Sequence, residues 1–110
     1  MAMPSGWAGG NSTVFSNAGT AKAWVNFNGT GTVAIRASFN VRSITDNGTG
    51  NYNVNFTTAM QDANYTAQVS SSNLADINGG LTTTAITGMR TFTDAGTSVD
   101  PSNVCVAVFR

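Results

Sequence analysis

Five aspartates, four arginines, one lysine, two tyrosines and one cysteine are the only side chains in this 110-residue sequence that titrate, and no histidine or glutamate accompanies them. A Ser–His or Cys–His pair needs an imidazole to take the proton, so nucleophilic catalysis of that kind cannot be assembled within one chain. A zinc site wants histidine or several thiolates, and Cys105 stands alone. What remains is carboxylate chemistry. Glycoside hydrolysis takes two carboxylates, and Asp94 with Asp100 or Asp46 with Asp62 are conceivable pairs, although no sequence feature draws either pair toward a cleft. The expectation is a protein that is not an enzyme and carries no cofactor and no metal.

The sequence offers recognition chemistry instead. It contains 13 Asn, 16 Thr, 10 Ser and 12 Gly, while charged residues make only 9% of the chain against a usual share of about 25%. Hydroxyls and amides replace charge on such a surface. The formal net charge is zero and Arg36, Arg42, Arg90 and Arg110 are scattered, which argues against nucleic acid, because phosphate binding rests on grouped cations. No apolar stretch approaches the roughly 18 residues of a membrane-spanning helix. Met1-Ala2-Met3-Pro4 lacks the basic and apolar segments of a signal peptide, so the chain as written reads as soluble, with no membrane insertion.

Several short patterns carry little weight. Gly29 to Ala34 matches a relaxed dinucleotide fingerprint, but period-2 alternation follows it, so no helix N-terminus faces a pyrophosphate. Asp46-Asn47-Gly48 resembles the start of a calcium loop whose closing glutamate does not exist here. Five Asn-x-Ser/Thr sequons are little above the roughly three that this composition yields by chance. Trp24 says more. It lies at polar parity beside Lys22 and Asn26, placing it under a loop, at a subunit contact or, as the sharper alternative, exposed as a platform for a sugar ring. The row Asn51, Asn53, Asn55 and Thr57 suits hydrogen bonding to sugars, a solvated face or packing against a neighbouring chain equally well.

The elements that must position these groups read as β throughout. Residues 1–20 show no sustained period and form a linker or shaft junction, and folding begins near Thr20. Ala21, Ala23, Val25 and Phe27 alternate with Lys22, Trp24 and Asn26, and Asn28 to Gly31 supplies a reversal. Val33, Ile35, Ala37, Phe39 and Val41 then make one long strand with a single apolar face. The odd step from Val41 to Ile44 predicts a bulge or bend near Arg42-Ser43. Asp46 to Gly50 is a hairpin turn leading into Tyr52, Val54 and Phe56, and a further strand turns Tyr65, Ala67 and Val69 inward. Residues 71–84 read as a long loop, 86–92 as a less regular strand, and Asp94 to Thr97 as a turn. The last strand, 103–109, is apolar on both faces, and its second face calls for cover, either from a loop over a central strand or, the favoured reading, from a neighbouring subunit. The fold class expected is all-β, a sandwich or compact jelly-roll-like unit of six or seven strands over residues 21–110.

The run from Ala21 to Gly29, together with Ala34-Ile35-Arg36, Ser38 to Val41, Asp46 to Gly50 and Tyr52 to Phe56, resembles the distal domain of bacteriophage tail-fibre and related virion-fibre proteins. Asn64-Tyr65 and the ending from Pro101 to Phe109 are similar to that family as well. The likeness covers roughly 21–70 and 99–110, leaving 71–98 as the variable stretch. The resemblance implies a homotrimeric fibre tip on the virion, outside the cell, meeting a bacterial surface glycan or outer-membrane protein. Its receptor-binding residues would come from loops, with Asn47 and Thr49 in one, Asn73, Asp76 and Asn78 in another, and Trp24 if exposed. The alternative is a structural trimerisation module of a capsid, neck or tail fibre with no receptor of its own, for which an ordered, buried 71–84 segment would speak.

Overall fold

The computed structural model describes residues 20–110; the expected linker over 1–20 lies, apart from Thr20, outside them. The described residues form eight strands and no helix: β1 Ala21–Asn28, β2 Ala34–Phe39, β3 Val41–Asp46, β4 Asn51–Phe56, β5 Thr66–Ser71, β6 Leu74–Leu81, β7 Ala85–Phe92 and β8 Val104–Phe109. They make two four-stranded sheets, ordered β2-β1-β8-β5 and β3-β4-β7-β6, with every pairing antiparallel. The architecture is all-β and sandwich-like, with one core between the sheets.

Alternation explains most of that core. Ala23, Val25 and Phe27 of β1, Tyr52, Val54 and Phe56 of β4, and Val104, Val106 and Val108 of β8 are all buried, as their parity requires. Each fully buried side chain of this size stabilises the fold by about 1.5–3 kcal/mol. Phe27 meets Tyr52 edge to face at 5.2 Å across the two sheets, and Phe56 meets Tyr65 the same way at 5.8 Å.

Three expectations need correction. The long strand from Val33 to Val41 is broken at Asn40, whose φ of 56° turns the chain out of one sheet and into the other. Asparagine tolerates this left-handed conformation. Here it is clamped: its Nδ2 donates to Lys22 O and Thr58 O, while its Oδ1 and carbonyl accept from the Thr58 and Thr57 amides. The apolar face of β2 is also not preserved. Asn26 faces Ala37 but Phe27 faces Ile35, so Arg36 is an extra residue that throws Ala37 and Phe39 to the outside, and every residue of β2 is exposed. Finally, 74–81 is a strand and not loop, with Ile77 and Leu81 packed against the core. These changes raise the strand count to eight.

The bulge expected near Arg42 is present: Val41 faces Phe56 and Ser43 faces Asn55, which leaves Arg42 unopposed and returns Ile44 to the core side. The irregular parity of β7 has the same origin, since Gly88 sits in a bulge at φ 65° against Asn78-Gly79.

Candidate functional site

The antiparallel topology sorts the connections to two ends of the molecule. The β1–β2, β3–β4, β5–β6 and β7–β8 loops gather at one end, here called the head, while Asn40, residues 57–65, residues 82–84 and the start of β1 lie at the other. The chain therefore comes in at Ala21 on the side away from the head loops.

Residues 93–103, between β7 and β8, tie the head together. Asp100 Oδ1 accepts from the Gly50 amide at 2.8 Å and from the Tyr52 hydroxyl at 2.9 Å, and its carbonyl accepts from Thr30 Oγ1 at 2.8 Å. Pro101 O accepts from the Gly29 amide, and Asn103 O from the Ser72 amide. Arg36 donates to Ser102 O, Asn26 Oδ1 and Asn103 Oδ1. Thr91, fully buried, donates through its hydroxyl to Val99 O at 2.7 Å. Gly50 adopts φ 64° under the Thr91 carbonyl, where a Cβ would collide. Burial, and then the hydrogen bond to Asp100, push the Tyr52 hydroxyl well above its ordinary pKa of 10. All four loops are thus pre-positioned by bonds that do not depend on a ligand.

The residues expected to bind a receptor are distributed as follows. Asn47 and Thr49 lie in the β3–β4 turn and Asn73 at the β5–β6 tip, both at the head. Asn47 Nδ2 is already given to Asn53 Oδ1 at 2.9 Å. Asp76 is on β6, held bidentate by Arg90 at 2.9 and 2.6 Å, which lowers its pKa. Asn78 is exposed further along β6, toward the opposite end. Trp24 is 40% exposed in the middle of β1, opposite Phe39 and Ala107 on the outer face of the first sheet. No single site unites these six.

The expected carboxylate pairs separate as well. Asp46 caps its own turn by accepting from the Gly48 amide at 3.0 Å, whereas Asp62 lies at the opposite end, in a bidentate pair with Arg110 that brings its pKa down to about 2. Asp94 and Asp100 share the β7–β8 loop, but Asp100 is spent on Gly50 and Tyr52. Among the described residues no three metal-ligating side chains cluster, and no helix is long and apolar enough to cross a membrane.

Two surfaces emerge, of which the sequence pointed to the first in part and to the second through one residue alone. The first is the outer face of the β2-β1-β8-β5 sheet, where Phe39 (54% exposed), Trp24 and Ala107 form one row, Cys105 lies beside Asn26, and Phe109 ends β8. The second is a head depression of about 360 Å³ lined by Ser72, Asn73, Leu74, Phe92, Thr93 and Asp94. The signals were the parity of Trp24 and the second apolar face of β8 for the former; Asn73 alone pointed to the latter. No protein-family model matches the chain, and no curated protein or solved structure matches it significantly.

Proposed function

We propose that this chain is the distal domain of a phage tail fibre, which trimerises through the outer face of its β2-β1-β8-β5 sheet and presents its head loops to a glycan or outer-membrane protein on the bacterial surface. The observation that carries the reading is the polarity of the domain: four cross-tied loops at the end opposite to where the chain comes in, as a fibre tip requires. Its place is on the virion, outside the host. The domain works by adhesion and not by turnover, and repetition of one weak contact three times about a fibre axis raises avidity through effective concentration.

A structural, non-adhesive trimerisation module draws on the same sheet face and is favoured by the order of β6, whose Ile77 and Leu81 pack on the core. One experiment separates the two. Fluorescently labelled protein is applied to a panel of bacterial strains with unlabelled protein as competitor. Adhesion predicts competable labelling of a few strains, lost when the aromatic sheet face is disrupted and trimers fall apart. A trimer that labels no strain establishes the structural module instead.

A further inference from the structure

The head depression has a feature shared by no other part of the described surface. Of the five aspartates, Asp46, Asp62, Asp76 and Asp100 each accept hydrogen bonds from the protein, and Asp94 accepts none. The side chains of Ser72 and Asn73 beside it make none either, although the backbone that carries all three is fixed. The Asn73 amide donates to Ser71 Oγ at 3.0 Å, the Ser72 amide to Asn103 O at 3.0 Å, and Thr93 closes the turn around Asp94 through bonds with Gly96 and Thr97. A carboxylate, an amide and a hydroxyl are therefore held on rigid loops with their hydrogen-bonding capacity unused.

Two apolar side chains, Leu74 and Phe92, share the same lining. Leu74, 48% exposed, stands directly opposite Phe92 across the β6–β7 pair. Arg90 covers part of the Phe92 ring at 5.4 Å, and Asp76 neutralises and fixes that guanidinium. The volume, about 360 Å³, falls in the lower part of the range for small-molecule sites, about 300–1,000 Å³. A second depression, about 200 Å³ beside Lys22, lacks this character, since Asn40 and Arg110 in its lining are bonded to the protein.

We infer that the Asn73–Leu74–Phe92–Asp94 depression is a binding subsite for a neutral pyranose. A sugar ring has an apolar C–H face, which matches Leu74 and Phe92, and an edge of hydroxyls. Neighbouring hydroxyls donate to the acceptor-only carboxylate of Asp94, and Asn73 and Ser72 both donate and accept. An anionic sugar is disfavoured because the one charge left unpaired at the rim is negative. The biological sense of the subsite rests on the attachment reading, although its geometry does not.

The test is titration of isotope-labelled protein with the methyl glycosides of glucose, galactose, mannose, rhamnose and N-acetylglucosamine, followed by amide chemical shifts. At least one glycoside is expected to shift the amides of residues 72–74 and 92–97. Those shifts vanish in Asp94→Ala, whose exposed, unbonded side chain leaves the fold intact, and Leu74→Ser weakens binding about tenfold. Shifts elsewhere, shifts that survive Asp94→Ala, or no shift with any of the five overturn the inference. Strain labelling distinguishes this failure from the other: labelling that persists in Asp94→Ala removes the sugar subsite and leaves attachment standing. Glycoside shifts at these residues without labelling of any strain do the reverse.

Discussion

The β3–β4 part of one sheet and the β2-β1-β8 part of the other turn opposite kinds of surface outward. On β3 and β4 the outer residues are amides and hydroxyls, and they satisfy one another: Asn55 Nδ2 donates to Ser43 Oγ and Thr45 Oγ1, and Asn53 Oδ1 accepts from Asn47 Nδ2 and from the Gly88 amide. On β1, β2 and β8 the outer residues include Trp24, Phe39, Cys105, Ala107 and Phe109, whose surface is almost wholly apolar, and Trp24, Phe39 and Phe109 have little to cover them. A charge-poor protein can present the first surface to water, because the ladder leaves the outer ends of its polar groups to solvent. The second surface gains by association, since contiguous exposed apolar area marks an interaction site. The asparagine row, which from sequence suited sugars as well as solvent, is thus largely occupied with the sheet itself.

The largest effect expected from breaking this asymmetry is on association. Trp24→Ser with Phe39→Ser removes two exposed aromatics without touching the core, and at about 2 kcal/mol or more for each such anchor it weakens trimerisation at least about a thousandfold. Maleimide labelling of Cys105 reports the same event, slow in the wild-type assembly and fast in the double variant. Asp100→Ala, which belongs to neither outer face, strands the Gly50 amide and the Tyr52 hydroxyl, and denaturant melts are expected to show a loss of about 2–4 kcal/mol. On the polar face, Asn53→Ala frees the Gly88 bulge amide and costs about 1–2 kcal/mol in the same melts, with no change in assembly mass.

The smallest effect is pH dependence. Arg110 and the Asn64 amide hold the Asp62 carboxylate near a pKa of about 2, so its contribution is complete above the ordinary carboxylate value of 3.8 and is lost as pH falls through about 2. Tyr52 runs the other way: its pKa is raised, so its contribution is complete below pH 10 and is lost as the solution becomes more alkaline. Thermal melts should therefore be flat, as far as these groups matter, from about pH 4 to pH 10 and fall outside that window.

Much of this was legible in the residues. Alternation in β1, β4 and β5 identified the core, because a strand buried on one face admits no other parity, whereas β8 is apolar on both faces and its core side is set by pairing with β1. The break at Asn40 was hidden, since Phe39 and Val41 keep the same parity across it and only a positive φ separates them. β6 was hidden because Asp76, Asn78, Gly79 and Gly80 read as loop, yet Asp76 is paired with Arg90 and Gly79 packs where a Cβ would meet the Thr87 carbonyl. Asn47, Thr49 and Asn73 were visible as turn residues. The gathering of four loops at one end, and the fact that Asp94 alone among the aspartates lacks a partner, follow from antiparallel pairing between residues far apart in the chain.

The central claim is that the aromatic outer face of the β2-β1-β8-β5 sheet is covered by other copies of the chain. Light scattering at two concentrations tests it most directly. The account predicts three times the 11.3 kDa chain mass at both, collapsing to 11.3 kDa in Trp24→Ser with Phe39→Ser. A wild-type monomer at both concentrations, or a trimer indifferent to the two substitutions, would contradict it.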